Sequence, residues 1–202
     1  MLRRPSSVKE GTIICNILAL MALYMGPHDL TVLNTSERIF LQLIDRSEPE
    51  LNDLRCYALF AYCFIIYVYE MEEKLVQVLD FLVLIMNGIS PDASSPRSGG
   101  GVVSYTSEVK AKAMDCFVLL GSHLEENELL ERIKDGDLFE MIYTLMDSAG
   151  NDIQTKVAAG RAIAFFFETA HNTNPESSFE EIGYLICHNP RIVDDALDGK
   201  CQ

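Results

Sequence analysis

Tryptophan is absent from this chain, and proline is sparse, at 7 of 202 residues. Positive charge is also scarce: 16 Lys and Arg face 30 Asp and Glu, a formal net charge of -14. A field of that sign repels phosphate, so direct nucleic-acid binding by this segment is not expected. No two cysteines have the C-x-x-C spacing, and neither H-E-x-x-H nor G-x-S-x-G occurs. The usual signatures of zinc sites, metalloproteases and α/β-hydrolases are therefore missing. Nowhere do four alternating apolar positions stand between hairpin turns, which argues against a sheet.

What is present is apolar: 49% of the residues, enough to bury a sizeable core without disulfides or metal. Most of the six cysteines, Cys15, Cys56, Cys63, Cys116, Cys187 and Cys201, sit in apolar helical stretches, where a free thiol behaves as a small hydrophobe. That usage fits a reducing compartment, cytoplasm or nucleus. Cys56 and Cys63 are too far apart along one helical face for a disulfide, about 10 Å at about 1.5 Å per residue. His28, His123, His171 and His188 stand near helix ends or in a loop, where an imidazolium complements the dipole. No metal, cofactor or small-molecule substrate is expected. Residues 13–25 and 56–69 are apolar runs that resemble membrane segments. The second is shorter than the ~20 residues a span needs, and both read as buried helices.

Helix punctuation is frequent. Ser7-Val8-Lys9-Glu10 has the capping-box spacing, and Gly26-Pro27 stops the helix it opens. Thr35 or Ser36 caps a second helix through Ile44, and Pro49 starts a third over residues 50–69. Further helices follow over residues 72–86, 108–123 and 125–133. Capping boxes at Asp137, Asn151 and Ser178 open three more. Residues 89–105 break the pattern with Pro91, Pro96 and Gly99-Gly100-Gly101, and read as a flexible loop inserted within one helical domain spanning residues 1–202.

Two stretches match at an offset of 102 residues. Residues 39–45, an acidic turn and Glu50-Leu51 parallel residues 141–147, a turn and Asp152-Ile153. Each is a short amphipathic helix followed by a long apolar one. Residues 75–86 and 109–120 make a third pair around the loop. With the loop removed, the spacing approaches that of armadillo and HEAT repeats, so an all-α helical-repeat fold, an α-solenoid, is expected. The helix from Ile153 is apolar on most of its circumference, with one polar row of Gln154, Arg161 and Glu168. Gly160 costs about 1 kcal/mol of helix propensity against Ala, so it reads as a close helix–helix contact.

The run Val157-Ala158-Ala159-Gly160-Arg161-Ala162-Ile163-Ala164-Phe165-Phe166-Phe167-Glu168 resembles the central signature of the interferon-related developmental regulator family. The likeness is sharp over residues 138–170. It departs from the family pattern at Arg161, where an acidic residue is expected. The resemblance implies an armadillo-like, non-enzymatic scaffold that regulates gene expression by binding. Its implied partners are corepressor complexes or, alternatively, a ribosome that a basic extension outside this segment would contact. Neither implied role needs a membrane. The cations Lys110, Lys112, Lys156 and Arg161 are the exception to the acidic surface, and read as a partner-binding groove between two long helices.

Overall fold

The computed structural model describes residues 8–25, 30–45, 48–88, 105–135, 138–147 and 150–173. Among these residues stand eight α-helices, a 3-10 turn and no strand. The fold is all-α, of the armadillo/HEAT-like helical-repeat class. The chain divides into two compact units, residues 1–123 and 124–202.

The first unit holds α1 (Val8–Met25), α2 (Leu30–Ile44), the 3-10 turn Pro49–Leu51, α3 (Asn52–Val68), α4 (Glu72–Asn87) and α5 (Ser107–Gly121). Helix α3 is its centre, packing against α1, α2 and α5, while α4 packs mainly on α5. The core runs through Phe40, Ile44, Leu59, Cys63, Leu79, Leu82, Ile85, Cys116, Phe117 and Leu120, all essentially inaccessible. At the end of α4, Gly88 takes the left-handed φ of 75° that closes a helix, and its N–H returns to the Ile85 carbonyl.

The second unit holds α6 (Glu126–Asp135), α7 (Leu138–Asp147) and α8 (Ile153–Thr173). Helix α8 packs against both others. Its N-terminus is capped by Asp152, whose Oδ1 accepts the Thr155 N–H at 2.9 Å. Asn151, expected in that role, instead donates from Nδ2 to the Leu145 carbonyl at 2.7 Å and closes α7. The three expected pairs, α2 with α3, α4 with α5, and α7 with α8, are each packed together.

Four expectations are corrected. Helix α2 begins at Leu30, ahead of Thr35 and Ser36, because burial of Leu33 one turn earlier extends it. Ser36 is consequently buried mid-helix. Helix α1 is not buried all round. It meets α2 and α3 on one side through Gly11, Cys15 and Leu18, and leaves Ile13, Ile17, Leu20, Met21, Tyr24 and Met25 exposed. Gly160 is not a close contact: among the described residues nothing lies within 4 Å of a Cβ built there. The close approach is at Gly11, where a Cβ would collide with Leu54 Cδ2 and stand 2.8 Å from Cδ1. Finally, the loop ends before Tyr105, which is buried; residues 89–104 lie outside the described residues. So do the capping residues Ser7, Asp137 and Ser178, and also His28, His188, Cys187 and Cys201.

Candidate partner-binding surfaces

The sequence points to four cations, and the structure distributes them over the two units. Lys110 and Lys112 lie on α5 and are half-buried. Lys110 reaches back toward the α4 terminus, its Nζ 3.5 Å from the Cβ position of Gly88. Lys112 is held on two sides: its Nζ is 3.7 Å from Asp115 Oδ2 and 5.7 Å from the Phe60 ring centroid. Lys156 and Arg161 lie on α8, the first half-buried and the second exposed.

A feature the residue pattern did not single out is a row of aromatic side chains along α3. Phe60 stacks on Phe64 with centroids 5.8 Å apart, and Phe64 on Tyr67 at 6.4 Å, both with interplanar angles of 16°. His123, just beyond α5, meets Tyr67 edge-on at 4.4 Å. Phe60 is 44% exposed and Tyr57, one turn before it, 52%. The signal was present as aromatics at helical spacing on one face, with Leu54, Ala58, Leu59, Cys63 and Ile66 buried on the other. An unbroken apolar run concealed the phase.

Behind this row, polar groups tie the helices together. The Arg55 guanidinium is buried; its Nε donates to the Ile44 carbonyl at 2.9 Å and its Nη1 to Asn52 Oδ1 at 3.4 Å. Desolvation lowers its pKa, opposed by Tyr105, Cys56, Asp45 and Glu48. Tyr62 donates to Glu37 Oε1 at 2.7 Å, and Lys74 pairs with Glu37 Oε2. Burial first, and then that bond to Glu37, push the Tyr62 phenol far above its usual range. Cys63 is raised by burial and by its contact with Cys116 on α5.

A cleft of about 390 Å³ lies between α1 and α2, lined by Ile14, Ile17, Leu18, Met21, Thr31 and Val32, with Thr35 and Ser36 at one side. The Ser36 hydroxyl is buried there and has no hydrogen-bond partner among the described residues. Helix α1 is also long and apolar enough to cross a membrane, by length and composition. None of these features assembles a nucleophile with a base.

The family profile described as interferon-related developmental regulator (IFRD) matches residues 1–189. The chain belongs to this family. No curated protein and no solved structure matches it. The interferon-related developmental regulator match extends well beyond the α8 signature that carries the resemblance, and takes in both compact units.

Proposed function

We propose that this interferon-related developmental regulator acts as a non-enzymatic protein-interaction scaffold that regulates gene expression through the partners it binds. The observation that carries the reading is the family match over residues 1–189. The exposed apolar and aromatic side chains of α1 and α3 agree with it, since surface of that kind marks places where other macromolecules dock. In α8, the exposed Arg161 and the half-buried Lys156 are the candidate partner contacts of the second unit. The protein works in the cytoplasm, the nucleus or both. The test is affinity capture of the full chain from native lysate, with and without ribonuclease, followed by identification of what is retained. Corepressor components that survive ribonuclease support the scaffold. Ribosomal proteins that co-sediment with the chain, and are lost on ribonuclease treatment, would replace it with the ribosome-associated reading.

A further inference from the structure

Three observations meet at the N-terminal ends of α3 and α5. The first is the aromatic row, open at Tyr57 and Phe60. The second is that a cation already uses it: the Lys112 ammonium stands over the Phe60 ring. The third is charge. Asp53 and Glu108 are exposed, and together with Lys112 they act on the Cys56 thiol one turn before Phe60. Asp115 lies beside Lys112. Asp115 thus stands beside the ammonium at the exposed end of a row of rings, while Asp53 and Glu108 add negative charge around the neighbouring Cys56, on a chain whose net charge is -14.

Each element has a defined consequence. A ring face attracts a cation through its quadrupole, Arg more often than Lys. The aliphatic stem of Lys or Arg covers apolar surface while its charged head reaches a carboxylate. Negative potential draws a basic segment and repels an acidic one. We propose that the Tyr57–Phe60–Phe64 face, with Asp53, Glu108 and Asp115, is a docking surface for an arginine-rich segment of a protein partner, and that Lys112 is an internal competitor for the same ring. This deepens the scaffold reading and rests on it. It also reverses the role the residue types suggest for Lys112, from gripping an acidic partner to holding the place of a basic one.

The probe is a short fluorescein-labelled peptide in which arginine alternates with glycine and serine, titrated with the full chain in a fluorescence anisotropy assay. Parallel arms use the same peptide with glutamine, the same with glutamate, and a single-stranded oligouridylate. The arginine peptide binds, the other three do not, and added salt weakens the binding. Phe60→Leu keeps the apolar contact but loses the ring, and weakens binding about two- to fivefold. Lys112→Gln clears the ring and removes the ammonium beside Asp115, and tightens binding by a similar factor. Both positions are at least partly exposed, and the helical signal of each variant is checked by circular dichroism. Preference for the glutamate peptide or the RNA overturns the proposal, as does unchanged affinity in Phe60→Leu or weakened affinity in Lys112→Gln. If no peptide binds while the full chain still captures corepressor components from lysate, this surface is wrong and the scaffold stands. If the arginine peptide binds and no protein is captured, the scaffold reading fails instead.

Discussion

The Arg55 guanidinium lies 4.9 Å from the centroid of the Tyr105 ring. That pairing joins α3 to the residue on which the chain returns from the long connection after α4. Tyr105 in turn donates its hydroxyl to Asp45 at 3.2 Å, just past the end of α2. One buried cation therefore gathers the C-terminus of α2, the start of α3 and the approach to α5. Arg55→Met should destabilise the protein by about 2–4 kcal/mol, because the Ile44 carbonyl loses its buried donor and the ring its cation. Tyr105→Phe keeps the ring and should cost only about 1 kcal/mol. Urea unfolding of the two variants checks the ratio; equal losses would show that the hydroxyl, not the ring, matters to Arg55.

The glycines give a test of opposite signs. Gly160→Ala should stabilise by up to about 1 kcal/mol, since the new methyl meets nothing and helix propensity improves. Gly11→Ala should instead cost about 1–3 kcal/mol, because its methyl would drive into Leu54 across the α1–α3 contact. Denaturant midpoints decide. A lowered midpoint in Gly160→Ala would mean that α8 packs on the face holding Ile153 and Val157.

How the fold was legible, and where it was not, follows from periodicity. Helices with a polar face, such as α2 and α7, announce which side is buried, and the repeated order of short and long helices is readable at the 102-residue offset. Helix α8 has only the narrow polar row of Gln154, Arg161 and Glu168. Its buried row is Thr155, Ala159, Ala162, Phe166 and Ala170, while Ile153 is 74% and Val157 48% exposed. When apolar positions cover most of the circumference, composition reports that a helix packs but not through which side. The same ambiguity hid the aromatic row on α3. The cations were visible by charge alone, but only coordinates show that Lys112 is committed to Phe60 and Asp115. The family resemblance was legible because it rests on the local order of residues over 138–170, which needs no knowledge of what α8 touches.

Alkaline pH should weaken the fold through its thiols. Burial raises Cys15 and Cys56 from 9.0 to about 11. A group whose pKa is raised on folding contributes stability that is complete below its unfolded value and lost as pH climbs through the folded one. The melting temperature should therefore hold steady below pH 9 and fall between pH 9 and about 11. Thermal melts across that range test it, with Cys15→Ala as the control. The variant should show a shallower fall, and an identical slope would assign the loss to other groups.

Two leucines on α1 test whether that helix is part of the fold or a membrane span. Its 18 residues satisfy the length and composition of a span, yet only 18% of them are buried in the protein. Leu18 is 8% exposed beside Cys15, and Leu20 is 52% exposed on the opposite side. If α1 packs on α2 and α3, Leu18→Ala removes buried methyls and should cost about 2–4 kcal/mol. Leu20→Ala, at a surface position, should change stability by less than about 0.5 kcal/mol. Both substitutions lower the hydropathy of α1 by the same amount, so a bilayer would feel them equally. Urea unfolding in the absence of lipid, and flotation of the chain with phosphatidylcholine vesicles, separate the outcomes. A large loss in Leu18→Ala alone, with neither variant altering flotation, assigns α1 to the fold. Near-zero stability changes in both, with equal loss of flotation, would detach α1 from the α2 and α3 contacts and turn it into a lipid-facing helix.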